Sequence, residues 1–358
     1  MKIVFLIEEL GGGGKERRLV ELMKGLSKDS NYEIHLVLTK STNRYAEVNK
    51  LPIKIHQINP VSNIKLFKKY HQLLKNIKPD VVHTWSFKTS FYAALLKPRI
   101  GYKLFSGFVT NTFGQSLLHE IICSMLIYKA SDLVLSNSNL GLEAYKVNKN
   151  KGYVIYNGFD SNRLTNKSDS KTLLQSIGVD APLTVIMVAN VTSKKDYKTF
   201  IKVAHEVIEK YDHINFVSVG SINPEYEELV KPYIDNKHDK IKFIGFHNNP
   251  VQLIQESDIG ILCSEREGIS NSILEYMAAG LPVITTDKKG ASKELISDGI
   301  NGFICEKSEA TQKLLYLIKD PALREKIGMA NFEKIKKEFS IERMVTEHKN
   351  IYAQQHFK

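Results

Sequence analysis

Two carboxylates eight residues apart, Glu267 and Glu275, stand inside the stretch Ser264 to Asp287, SEREGISNSILEYMAAGLPVITTD. At 3.6 residues per turn that spacing advances about two turns, so a helix through Glu275 turns the second carboxylate back toward the first. Beside unpaired helix-start amides, such a pair could hold the hydroxyls of a ligand whose phosphate rests on those amides. The same spacing also fits an exposed loop glutamate and a solvated helix glutamate. The elements around the pair are a strand over Ile259 to Cys263, a loop over Ser264 to Ser270, an N-cap at Asn271 and a buried helix that Gly280 ends before Pro282. Val283 to Thr286 reads as the next strand. That order brings Gly268, Ser270 and the first helical amides to the C-terminal edge of a parallel sheet, where open α/β sheets bind ligands.

With Glu267-Gly268 and Glu275 followed by Met277, Ala278, Gly280, Pro282 and Val283, the run resembles the Glu-x7-Glu signature of family 4 of the retaining glycosyltransferases. The resemblance implies the GT-B fold, two Rossmann-like parallel-sheet domains facing across a cleft. It places an N-terminal acceptor-side domain at 1–165, a C-terminal nucleotide-sugar-binding domain at 166–338, and a helix at 339–358 that crosses back to the first. Matches run from the first strand to about Phe303.

Further along the same resemblance, Glu275 would accept hydrogen bonds from ribose, Glu267 would contact the transferred sugar, and Lys195 with the amides near Ser270, Asn271 and Ser272 would stabilise the diphosphate. The family carries an arginine where this chain has Asn190, so half of the usual cationic clamp is missing. Phe246 and its backbone are base-site candidates, with core packing as the rival reading of the ring. Gly13 and Gly14, ahead of Lys15 and Glu16, resemble the family's first loop, and glycines there permit close backbone approach to a ligand. The family's histidine near the transferred sugar has no counterpart between His83 and His119; Asn111 and Thr112 are carried as cleft candidates. His83, at a strand end, is read either as an acceptor contact or as a satisfied structural histidine.

No Asp-x-Asp is present, so no metal-bound pyrophosphate site is expected, and no cofactor beyond the donor nucleotide-sugar. The resemblance implies retention of configuration by front-face transfer. Two alternatives stay open: a nucleotide-sugar epimerase of the same fold, and a catalytically weak partner subunit, to which Asn190 and the single Gly290 point.

A chain of 358 residues suits two domains, and 42% hydrophobic content allows two cores. Met1 to Ile7 meets Glu8 and Glu9 at once, so it reads as a first strand and not a signal peptide. Cys123, Cys263 and Cys305 lack metal-ligand spacing and read as buried free thiols of a reducing compartment, the cytoplasm. Residues 1–160 carry 23 Lys plus Arg against 12 Asp plus Glu, which accounts for the entire net charge of +11. That excess fits an anionic membrane surface, a pyrophosphate-bearing lipid acceptor or a simple solubility effect; nucleic acid is least favoured, because the basic residues are scattered and no recognised binding module accompanies them. Lys65, Lys68, Lys69, Lys75 and Lys78 share one helical segment whose apolar side is Leu66, Tyr70, Leu73, Leu74 and Ile77.

Overall fold

Parallel strands covered on both faces require apolar runs without alternation, and the two most complete runs, Lys2–Ile7 and Leu183–Val188, each form a central strand of a sheet. In the computed structural model the described residues are 1–11, 13–59, 62–109, 116–164, 172–234 and 238–356. The chain divides into two units, Met1–Gly158 with Ile341–Lys358, and Phe159–Ser340.

The first unit holds β1 (Lys2–Ile7), β2 (Glu33–Leu38), β3 (Lys54–Gln57), β4 (Val81–Thr84), β5 (Lys103–Val109), β6 (Leu133–Ser136) and β7 (Gly152–Val154). They pair in parallel in the order β3-β2-β1-β4-β5-β6-β7, so the order reverses between β1 and β4. On one face the helix Gly14–Leu26 and the late helix Ile341–His356 share a core with Phe5, Leu19, Leu22, Met23, Met344 and Tyr352. Gly25 is where these helices touch: a Cβ there would collide with the Val345 side chain. On the other face lies the helix Asn63–Ile77, capped by Ser62 and ended by Lys78 at φ 51; it buries Leu66, Tyr70, Leu74 and Ile77, leaves Leu73 half-buried and exposes its lysines.

The second unit holds β8 (Leu183–Val188), β9 (Ile214–Val219), β10 (Ile241–Phe243), β11 (Ile259–Leu262), β12 (Val283–Thr285) and β13 (Phe303–Ile304), in the order β10-β9-β8-β11-β12-β13. The pairing is again parallel, with the reversal between β8 and β11. The helix Asn271–Ala278 packs on β11, where Gly260 leaves bare backbone against the Tyr276 ring.

Several local expectations are corrected. Ser270, not Asn271, caps the helix at Asn271–Ala278, its hydroxyl accepting from the Ile273 N–H. Phe87–Ile100 is a helix the sequence reading left unassigned, with Pro98 tolerated in its last turn and a Ser86/Thr89 capping box at its start. Leu117–Ile122 is α-helical, and the chain continues from it as a π turn over Cys123–Ile127.

A methyl group added at Gly260 would lie 2.5 Å from two Tyr276 ring carbons. Gly260→Ala should therefore lower stability by about 1–3 kcal/mol, the usual cost of overpacking; an unchanged urea midpoint would show that the helix can lift without penalty.

Candidate functional site

The second unit's candidate residues gather at the C-terminal ends of β8 and β11, the strands flanking its reversal. Past β11 the chain enters the loop Cys263 to Ser270, and past β8 it runs through Asn190 to Lys195 before the helix Tyr197–Ile208, which Asp196 caps. The two loops are joined by an isolated bridge between Lys195 and Ser264, and the Asp196 N–H donates to the Cys263 carbonyl at 3.0 Å. Backbone pairing thus fixes the two side chains that meet there: Lys195 Nζ lies 2.6 Å from Glu267 Oε1, and the Ser264 hydroxyl donates to the same oxygen at 2.6 Å.

Glu267 is anchored from behind. Its N–H donates to Asp287 Oδ1 at 2.9 Å, and its carbonyl accepts from the Ala291 N–H at 2.9 Å. Asp287 is almost fully buried and also accepts from the Ser292 hydroxyl at 2.7 Å and the Ser292 N–H at 3.4 Å. Burial pushes its carboxyl up to about 6, against the lowering effect of the Ser292 and Glu267 bonds.

Glu275 projects from the helix Asn271–Ala278 and is buried; its Oε1 pairs with Arg163 Nη2 at 2.7 Å, and the Arg163 guanidinium lies over the Phe159 ring. Neither glutamate is the freely solvated side chain that the spacing alone allowed. The Ser272 hydroxyl donates to the Val188 carbonyl, so it ties the helix to β8. Asn190 Oδ1 accepts from the Ser221 N–H at 3.0 Å, a loop-tethering bond and not a cationic contact. Arg266, next to Glu267, has a buried Nε without a hydrogen-bond partner among the described residues. Gly268 lies in the same loop and is buried. Phe246 is exposed, and Gly245 at φ 70 turns the chain just before it, beside a cavity of about 330 Å³ lined in part by Ile222, Phe243 and Ile244.

In the first unit Gly13 caps the helix Gly14–Leu26 without a side-chain bond, and its carbonyl accepts from the Tyr45 hydroxyl at 3.1 Å. His83 is 1% exposed, with Nδ1 2.8 Å from the Tyr352 hydroxyl, the arrangement of a satisfied core histidine. Asn111 and Thr112 lie outside the described residues. Among the described residues no group of three or more His, Cys, Asp or Glu could hold a metal ion. The three cysteines are free and buried, and burial pushes the Cys123 and Cys305 thiols up to about 11.

Sequence reasoning singled out Lys195, Glu267 and Glu275 but missed Arg163, Asp287 and Arg266. Asp287 closes the very stretch it started from, and a buried acid directly after an apolar strand was the available signal. Arg163 gave none, because its partner lies 112 residues away.

Asp287 also sets a pH signature. A carboxyl raised in the folded state stabilises fully below its unfolded pKa and loses that contribution as pH rises through the folded value near 6. The melting temperature of wild type relative to Asp287→Asn should therefore climb as pH falls from 7 to 5; a pH-independent gap would contradict the assignment.

Both halves of the chain match known families. The model described as Glycosyl transferases group 1 matches residues 169–334, and that described as Glycosyltransferase Family 4 matches residues 12–163. One relative is the Campylobacter jejuni N-acetylgalactosamine-N,N'-diacetylbacillosaminyl-diphospho-undecaprenol 4-alpha-N-acetylgalactosaminyltransferase, 25% identical over 350 residues, 90% of this chain and 92% of its own length. Another is the Bacillus anthracis N-acetyl-alpha-D-glucosaminyl L-malate synthase, 24% identical over 357 residues, 93% and 91% of the two chains. Among solved structures, Anabaena HepE in complex with UDP and glucose superposes with a TM-score of 0.86 at 21% identity, covering 99% of this chain and 100% of its own.

Proposed function

This chain belongs to glycosyltransferase family 4 and has the GT-B fold, and from that premise we propose that it is a metal-independent, retaining transferase that moves a hexose or N-acetylhexosamine from a UDP-sugar to a lipid-linked or growing surface glycan. The observation that carries this reading is the cluster of Lys195, Glu267 and Ser264 at the strand reversal of the second unit, with Glu275 on the next helix. Glu267 orients the hydroxyls of the transferred sugar. Lys195 and the helix-start amides near Ser270, Asn271 and Ser272 take up the negative charge that grows on the departing diphosphate. With Asn190 committed to Ser221, Arg266 is the cation we assign to the same diphosphate in place of the family's arginine. Arg163 holds one oxygen of Glu275, which leaves the other for the ribose hydroxyls. Phe246 and the backbone beside Gly245 border the base.

The two glutamates orient the donor and supply electrostatics; neither is the nucleophile or the acid of a glycosidase pair. In the front-face transfer we adopt, the acceptor oxygen forms its bond to the anomeric carbon on the side from which the phosphate leaves, and the acceptor's proton passes to that phosphate. The Campylobacter jejuni relative, whose name contains a diphospho-undecaprenol-linked glycan, supports a lipid-linked acceptor here.

The decisive test is ligand-observed magnetic resonance against UDP-, GDP-, ADP- and TDP-sugars. One sugar nucleotide should bind selectively, and Glu275→Ala should weaken it at least about tenfold, or 1.4 kcal/mol. Binding of none by the folded protein would favour the partner-subunit reading.

A peripheral position on the inner face of the cell membrane is part of the proposal. No helix among the described residues is long and apolar enough to cross a membrane. The first unit exposes Leu117 (74%), Leu118, Ile121 and Met125 (64%) along one short segment, and its excess of positive charge suits anionic lipid. Liposomes containing phosphatidylglycerol should bind the protein at low salt and release it at high salt. Paired Leu118→Glu and Met125→Glu changes should reduce that binding severalfold; equal binding by the double variant would remove this surface from the proposal.

A further inference from the structure

Arg18 is a buried cation without a buried anion. It lies in the helix Gly14–Leu26, is 5% exposed, and forms no ion pair with any described carboxylate. Its Nη2 donates to the Ile155 carbonyl at 3.0 Å and its guanidinium stands 5.2 Å from the Trp85 ring centre, while its Nε has no partner among the described residues. Removing a charge from water without a counter-charge is costly, and each buried polar atom left unpaired adds to that cost.

Two further unpartnered nitrogens stand nearby. Trp85 Nε1 is a donor; His348 Nε2 is an acceptor, because Nδ1 of that ring faces the Met344 carbonyl at 2.8 Å and must carry the proton. Both rings surround His83, with centroids 5.0 and 5.8 Å from it. Burial, reinforced by Arg18, holds the His348 ring down to about 3, so the positive charge of this cluster is that of Arg18 alone. The location is informative in its own right. Arg18 follows β1 and Trp85 follows β4, the two strands between which the sheet order of the first unit reverses, and open α/β sheets bind ligands at such a point.

We propose that the first unit binds a small oxyanion carrying a hydroxyl, a hydrogenphosphate or a hydroxycarboxylate group, between Arg18, Trp85 and His348. The anion accepts from Arg18 and Trp85, and its hydroxyl donates to His348. The inference does not depend on the transferase reading, since none of these residues belongs to the donor site.

Trp85 is the only tryptophan of the chain, so its fluorescence reports the site directly. Wild-type protein is titrated with inorganic phosphate, glycolate and acetate at constant ionic strength. Phosphate or glycolate should give a saturable change, and whichever saturates identifies the oxyanion. Acetate, which lacks the hydroxyl, should bind several times more weakly than glycolate, and His348→Phe should erase that difference. Arg18→Met, checked for folding by circular dichroism, should weaken the saturating anion at least tenfold; if it does not fold, Arg18→Lys, which keeps the charge but loses the fork, must weaken it too. The proposal is overturned by the absence of a saturable response to every anion, or by a response unchanged in the Arg18 variant that folds. Nucleotide-sugar binding measured on that variant should remain at the wild-type level, which separates this site from the donor site.

Discussion

The seating of one aromatic ring on one bare strand residue governs the second unit. Tyr276 lies against Gly260, so the helix Asn271–Ala278 approaches the sheet closely enough for its side chains to finish the work of the strands. β11 pairs with β8 only as far as Ile186, and beyond that the Val188 N–H and carbonyl have no strand partner on that side. The Tyr276 hydroxyl accepts from the first, at 2.6 Å, and the Ser272 hydroxyl donates to the second. The backbone requirement for satisfied polar groups is thus met from the helix. The sheet can splay at its reversal without exposing unpaired amides, and the loops of the site occupy the opening.

The two reversals, one in each unit, handle charge in opposite ways. In the second unit Lys195 has Glu267, and the buried Asp287 is surrounded by three donors from Glu267 and Ser292. Lys195, Glu267 and Asp287 are thus all partnered there. In the first unit, among the described residues, Arg18 has only the Trp85 ring and the Ile155 carbonyl against its guanidinium, and no carboxylate.

Much of the architecture was legible because strands buried on both faces need runs of apolar residues, as in Ile3 to Ile7 of the first strand. The Phe87–Ile100 helix was not, because Lys97-Pro98 reads as a break and its apolar residues do not form one clear stripe. Its proline is harmless only because the last turn of a helix has little ladder left to lose. The cap was misplaced by one residue because Ser270 and Asn271 are equally good cap chemistry, and only the direction of the chain leaving the loop selects the serine. Within the site, the residues that carry the spacing signal, Glu267, Glu275 and Lys195, were visible. Their supports were not, since Arg163 reaches Glu275 through space across 112 residues. No local pattern encodes contacts of that range.

The late helix Ile341–His356 belongs to the first unit although the whole of the second precedes it in the chain. Until it arrives, Leu19, Leu22 and Met23 lack the cover that Met344, Val345 and Tyr352 provide, and His83 lacks its hydroxyl partner. During synthesis, therefore, the unit that begins first is completed last. For that interval an uncovered apolar face is open to chaperones or to another nascent chain, while the uninterrupted second unit can close on its own.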